Sequence, residues 1–477
     1  MRQDLCRTDE RGSHSMSNFA LSGVTLIDGR GGTPAENTTV VVEDGSITRI
    51  VPSSQYDTSA GPQVIDAAGK WLLPGYINGN IHLLDGIMMM GIGGVEYLSR
   101  YEGSFVKVIE EGAQLTLRNG VTTVFDTWDA RNPVLEARDR INAGATIGSR
   151  IFAAGNIVGM GGPFSPDFNF AARQSISPTF ANRIDELFAA GVGADLTLLQ
   201  EREFRARFRD YVQSGVDMVK VAISDHLTAH LNPVALRTYH TFPEKWVRMM
   251  AEDTRAAGLP FLSHTLAVPA LELATDVDVD VMIHPTWTYN QVIPDELVRR
   301  IAEKRIGVGI QPLTDDYSGR LLAHGNFFGA MNSPEHQKNE RNFIDAGANV
   351  MVATDAGCTS HDVMQDLGEE LHEDRPWTLG VDHFTWVKAL RTRGLSAMGA
   401  IQALTHNVAD AYNKLDTIGT VEVGKVADLV LLNADPLVDS ENLSDIAAIY
   451  KEGLAVDRSA LPNPRVVTAP TGAPVPN

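Results

Sequence analysis

The sequence predicts a mixed α/β fold: a (β/α)8, TIM-like barrel beside a small discontinuous β-sandwich made by both ends of the chain. Two patterns carry this prediction. About eight apolar runs of strand length alternate with helical segments between residues 76 and 357, and short β-rich runs punctuated by Gly, Asp and Pro occupy both ends. A chain of 477 residues, 43% hydrophobic and 21% charged, is long enough to bury a core of that size. The expected division is residues 1–16 as a tag-like or flexible extension, 17–73 with 411–477 as the sandwich, and 74–410 as the barrel.

The opening MRQDLCRTDERGSHSM is polar and contains GSHSM, which resembles a cloning scar, so it is set aside from the fold. LSGVTLIDGRGG, TTVVVEDGSITRIVP and PQVIDAAGKWLLPGYI then read as a meander of hairpins. The barrel strands follow as YINGNIH (76–82), GVTTVFDTW (120–128), RIFAAGNIV (150–158), GVDMVKVAI (215–223), PFLSH (260–264), VDVMIHP (279–285), GVGIQP (307–312) and NVMVATDAG (349–357). Between them, stretches such as EKWVRMMAEDTRAAGL (244–259) space their apolar residues as a helix does and end at glycine. Beyond Ala411 the strand-rich style returns in TIGTVEVGKVADLVLLNADP and IAAIYKEGLAV.

A net charge of −20 and a pI of about 5.0 oppose general attraction to nucleic acid or anionic membrane. No apolar run approaches the ~18 residues of a membrane span. Cys6 and Cys358 are too few for a disulfide framework or a thiolate zinc cluster. A cytoplasmic protein with a neutral small-molecule substrate is expected, with neither nucleic acid nor membrane as partner.

Barrel chemistry sits at the C-terminal ends of strands, which singles out Asn80, His82, Lys220, His264, His284 and Asp355. Asn80 and His82 lie two apart, so in an extended strand they project to one side and can reach for one ion. His264 and His284 each end an apolar run, and neutral imidazoles suit zinc, cobalt, iron or manganese. One such histidine is more often structural; two on neighbouring strands, joined by His82 and an aspartate, point to a metal site. Lys220 puts an ammonium inside an apolar strand. It is either a snorkelling or ion-paired lysine, or one that carbon dioxide converts to a bridging carbamate, which burial assists by favouring the neutral amine. Asp355 is either a helix N-cap or a metal ligand and general base.

Taken in order, LSGVTLIDGRGG, VVVEDGSITRIV, DAAGKWLLPGYINGNIH, GVTTVFDTW, GVDMVKV, the two histidines, ATDAG, ALTHNVADAY, IGTVEVGKVADLVLLNADPL and IYKEG resemble the amidohydrolase superfamily along nearly the whole chain. The resemblance implies metal ligation by His82, Lys220, His264, His284 and Asp355, with Asp355 and His284 as catalytic residues and Lys220 as a candidate N6-carboxylysine. Asn80 stands where most relatives have histidine. An amide oxygen is a weaker ligand for borderline metals than imidazole, so Asn80 is expected to be a weak or vestigial ligand, and one divalent metal (Zn, Co, Fe or Mn) is expected per chain. The same change looks like a small branch, the phenylurea and molinate hydrolases.

That branch implies cleavage of a C–N bond, or a carbamoyl C–S bond, in an N,N-dialkyl urea, carbamate or thiocarbamate. A phenylurea would give an aniline, a dialkylamine and carbon dioxide. A thiocarbamate hydrolase, an N-acyl amino acid or dipeptide amidohydrolase, and a metal-free scaffold of the same fold are the rival readings. Relatives of this kind are often homo-oligomers, so an oligomer is expected. Substrate contacts are expected from Phe164, Trp287, Tyr289 and His226, with Trp128, Phe168, His230 and His361 as further candidates.

Overall fold

A computed structural model of the chain describes residues 18–57, 59, 61–84, 92–166, 170–225, 240–289, 291–324, 327–357, 376–463 and 467. Glycine and aspartate cut the first segment into strands β1 (Phe19–Leu26), β2 (Ala35–Glu43), β3 (Ser46–Pro52), β4 (Gln63–Asp66) and β5 (Trp71–Pro74). The Asp44-Gly45 pair, with φ of 49° and 78°, makes the two-residue turn that pairs Glu43 with Ser46. Positive φ at both turn positions matches the right-handed twist of the flanking strands, which is why Asp-Gly marks such hairpins.

The barrel strands are β6 (Tyr76–Ile81), β7 (Val121–Asp126), β8 (Arg150–Ala153), β9 (Ile157–Val158), β10 (Val219–Ala222), β11 (Phe261–His264), β12 (Val281–Ile283), β13 (Gly307–Ile310) and β14 (Asn349–Val352). They pair in parallel as β6-β7-β8 and β9-β10-β11-β12-β13-β14. The circuit closes where the Asp355 N–H donates to the Asn80 carbonyl at 2.9 Å and the His82 N–H to the Ala356 carbonyl at 2.8 Å. Strands covered on both faces read as continuous apolar runs, and every residue of β7 and of β10 through β13 is buried.

The run RIFAAGNIV, read from the sequence as one strand, is split into β8 and β9. Gly155 turns the chain with φ of 70°. The Tyr211 hydroxyl then donates to the Ala154 carbonyl at 2.6 Å and accepts from the Asn156 N–H at 2.7 Å, taking the backbone groups that a continuous ladder would use.

Helices cover the outside of the strands. In Glu244–Ala256, Val247, Met250, Ala251 and Thr254 form the buried stripe, Glu244 and Arg255 sit at the dipole-favoured ends, and Gly258 follows with φ of 73°.

The chain then returns through β15 (Leu429–Leu432), β16 (Ile446–Lys451) and β17 (Leu454–Ala455). β15 pairs antiparallel with β5, so both ends of the chain share one eight-stranded sheet. Leu21, Val24, Val40, Val42, Leu72, Leu429 and Leu431 are among the core of one of its faces. Asp428 ties this sheet to the barrel: its carboxylate accepts from Arg150 at 2.6 Å and from the Glu452 N–H at 2.8 Å, and its carbonyl accepts from the Gly75 N–H at 2.8 Å. No helix among the described residues is long and apolar enough to cross a membrane.

Candidate active site

The strand ends converge on one buried polar cluster. Asn80 and His82 come from the end of β6, Lys220 from within β10, His264 from the last position of β11, and His284 and Asp355 from just beyond β12 and β14. His284 and Asp355 both adopt left-handed backbone, with φ of 41° and 60°. Non-glycine residues rarely do so, and such conformations persist where surrounding bonds over-determine them. Here the His284 N–H is held by the Gly309 carbonyl at 2.8 Å and the Asp355 N–H by the Asn80 carbonyl.

Asp355 is the hub. Its Oδ1 accepts from the Asn80 Nδ2 at 2.7 Å and faces His82 Nε2 at 3.0 Å, and its Oδ2 accepts from the Gln311 Nε2 at 3.0 Å. Burial alone would raise its pKa. The hydrogen bond and charge of His82, with the charges of His284 and Lys220, outweigh that and hold the carboxyl well below the usual range. The Asn80 Oδ1 accepts from the Thr127 hydroxyl, so both ends of that amide are engaged within the cluster. Lys220 donates to the same hydroxyl at 3.0 Å, and burial lowers its pKa to about 8 against the opposing charges of Asp355 and Asp126.

The imidazoles are arranged to suit a cation. The His82 Nδ1 donates to the Trp128 carbonyl at 2.9 Å, which can only accept, so in the neutral ring Nε2 presents its lone pair to the Asp355 carboxylate. Two acceptor atoms at that separation are stable together with a proton or a metal ion between them. The His284 Nδ1 likewise faces the Thr265 carbonyl, at 3.3 Å, and burial lowers the pKa of this ring to about 4, keeping it neutral. Locking Nδ1 on a carbonyl to aim Nε2 is the usual way a metal-ligating histidine is oriented. His264 and His284 meet edge to face, with centroids 4.3 Å apart.

The donor set of three imidazoles, an ionised carboxylate and a lysine of lowered pKa therefore fits a divalent metal in chemistry. The side chains that would hold it are His264, His284 and Lys220 on one flank and His82 with Asp355 on the other. Among the described residues, no three His, Cys, Asp or Glu side chains form a ligand group by themselves.

Of the residues expected to touch substrate, Trp287 lies at the cluster, its ring 5.9 Å from that of His284. Tyr289 is further along the same loop, its phenol pKa raised by burial and by Asp225. Phe164 is buried against Phe180 at 5.9 Å, within the main core. Trp128 is a wall residue, edge-on to His82 and bonded through Nε1 to Asn156 at 3.0 Å. His226, Phe168, His230 and His361 lie outside the described residues.

Sequence reasoning passed over Thr127, Gln311, Asp126 and Asp129. Asp126 Oδ2 and Asp129 Oδ2 accept the Leu83 and Leu84 N–H groups at 2.9 Å each, fixing the backbone just after His82. Burial raises both pKa values, that of Asp129 to about 6, and their mutual interaction raises Asp126 further. Asp126 and Gln311 do end apolar runs, the same signal that picked out Asp355, and Thr127 follows Asp126.

The depressed His284 carries a pH signature. An unfolded chain takes up this proton between about pH 6.5 and about pH 4 while the folded chain does not, so stability falls as pH falls through that window. Thermal melts across it are expected to slope less steeply for His284→Gln than for the unaltered chain; equal slopes would contradict this placement of the ring.

A profile of the amidohydrolase family matches residues 71–456. The structure of molinate hydrolase is similar with a TM-score of 0.91 and 44% identity, covering 97% of this chain and 99% of that one. The structure of phenylurea hydrolase B is similar with a TM-score of 0.91 and 49% identity, covering 95% of this chain and all 100% of that one. The imidazolonepropionase of Geobacillus sp. (strain WCH70) is 24% identical over 442 residues, covering 89% of this chain and 91% of the relative. The chain belongs to the amidohydrolase family and is a hydrolase of carbon–nitrogen bonds.

Proposed function

We propose that this amidohydrolase cleaves an N,N-dialkyl-N′-aryl urea to an aniline and a dialkylcarbamic acid, which loses carbon dioxide to leave the dialkylamine. The observation that carries the reading is Asn80. At a position where the superfamily pattern has histidine, its amide is bonded to Asp355 and Thr127, and the similarity to phenylurea hydrolase B extends over nearly the whole chain. With the amide so engaged, a single divalent metal per chain is the proposed complement, held by His264, His284 and Lys220. The neutral amine that a pKa of about 8 makes accessible supports N6-carboxylation of Lys220.

A urea carbonyl is a poor electrophile because both nitrogens donate into it. A divalent metal, when bound, supplies the Lewis acidity that activates water and polarises such a carbonyl. Asp355 supplies the proton path. Ionised and held by Asn80, His82 and Gln311, it takes a proton from the attacking water as the C–O bond forms, then returns it to the aryl nitrogen as the C–N bond breaks. Trp287, beside His284, offers an apolar face for the aryl or alkyl group.

The similarity to molinate hydrolase favours a second reading, in which the bond cleaved is the carbamoyl C–S bond of a thiocarbamate. Zinc- or cobalt-supplemented protein offered a dimethyl phenylurea, a dialkyl thiocarbamate and N-acyl amino acids separates the readings. Release of aniline is the expected result; turnover confined to the acyl amino acids would overturn both. Metal analysis of the same preparation is expected to give about one ion per chain, and its stripping by chelator to abolish turnover.

A further inference from the structure

Gln311 follows β13 directly and is 3% exposed. Its Nε2 donates to the Asp355 Oδ2 at 3.0 Å. A carboxylate oxygen only accepts, so the amide cannot turn over without setting two oxygens against each other, and Oε1 is forced to face away from Asp355. That Oε1 is buried and has no hydrogen-bond partner among the described residues. A buried amide oxygen left without a donor is costly, and this one lies one amide width from a carboxylate oxygen whose twin is already taken by Asn80 and His82. The site therefore presents a fixed acceptor next to the group that exchanges the proton.

An N,N-dialkyl-N′-aryl urea carries one N–H, on the nitrogen that departs. We propose that Gln311 is a specificity-determining residue whose Oε1 accepts this N–H, so that the enzyme prefers substrates with a hydrogen on the leaving atom over those without one. The grip would also turn the nitrogen lone pair toward Asp355, which must protonate it. A urea methylated on that nitrogen keeps the same kind of leaving group and offers no hydrogen to Oε1. Sites built around a polar group of the substrate reject analogues lacking it more strongly than apolar pockets reject a change of size. The inference rests on the urea reading given above.

The test compares N,N-dimethyl-N′-phenylurea with N,N,N′-trimethyl-N′-phenylurea, which differ only in N–H against N–CH3. The ratio of their kcat/KM values is measured for the metal-supplemented enzyme and for Gln311→Met and Gln311→Leu. Both leaving groups are anilines that must be protonated, so loss of support to Asp355 weakens both reactions alike and cancels in the ratio, whereas loss of the acceptor acts on the N–H substrate alone. The ratio is expected to fall roughly threefold to tenfold in both variants. Should a variant turn over neither compound, the ratio of their equilibrium binding constants is read in its place, with the same fall expected. An unchanged ratio overturns the role of Gln311 and leaves the urea reading standing. An unaltered enzyme that cleaves a dialkyl thiocarbamate or N-acyl amino acids and neither urea overturns the urea reading, and this inference with it.

Discussion

Asp355→Asn is expected to lower kcat/KM by on the order of 1,000-fold, within the range a positioned acid–base group supplies. The change is close to isosteric, and its structural cost is contained. The new amide can keep its oxygen toward the Asn80 Nδ2 and put its nitrogen where Oδ2 stood, with the proton or metal ion between that oxygen and His82 Nε2 retained. Gln311 can then turn over and present Oε1 in place of Nε2. The folded state survives, but nothing remains at that position to take a proton from water. Metal content measured beside activity separates this outcome from simple loss of a ligand: catalysis should collapse while a large part of the metal is retained. A loss smaller than about tenfold would mean that the proton travels by another route.

Gly357→Ala is expected to be the most damaging small change to the fold. Gly357 has φ of 83°, and a Cβ there would stand 1.7 Å from the His82 carbonyl oxygen. No rotamer relieves that contact, because the position of Cβ is fixed by the backbone and the oxygen is itself a backbone atom. The neighbouring Ala356 carbonyl receives the His82 N–H, and the Gly357 N–H donates to the Trp377 carbonyl at 3.0 Å. To admit a methyl group the last turn of the β14 segment must move away from β6, opening the barrel at its seam and parting His82 from Asp355. A loss of about 3 kcal/mol or more in denaturant melts is expected, the range of strained-backbone and core-disrupting substitutions, together with loss of turnover. A variant within about 1 kcal/mol of the unaltered chain would show that the two backbones do not meet.

Much of this site is written in the order of residues because parallel strands are buried on both faces. A polar side chain within or ending such a run has few reasons to be there, and that rule finds His82, Lys220, His264, His284 and Asp355. It stops short at Gln311, which ends an apolar run just as plainly, and at Thr127, which follows Asp126 at the end of β7; neither is ionisable or an ordinary metal ligand. Their importance comes from what they touch, Asn80 and Asp355, across strands far apart in sequence. The break between β8 and β9 was hidden for the same reason: Gly155 permits it, but the Tyr211 hydroxyl enforces it from a helix 55 residues away. Asn80 is the instructive case. Its identity reads as a weakened ligand, while its bonds make it the support of the carboxylate opposite, a role that only the closing of the barrel creates.

The shared sheet also sets the order in which the molecule can be completed. β5 carries the sequence WLLP and pairs on one side with β15, and nearby Lys70 bonds Asn433, 363 residues further along. During synthesis β5 therefore waits as an open apolar edge through the making of the entire barrel. Contacts this distant in sequence form late and slowly, and an open edge is where chains pair with the wrong partner. Tie points such as Asp428, which bonds Arg150 and Gly75 at once, arrive only with the last strands. Expression at low temperature or with chaperones should accordingly raise soluble yield more than any change at the barrel mouth, because the vulnerable interval precedes the native state.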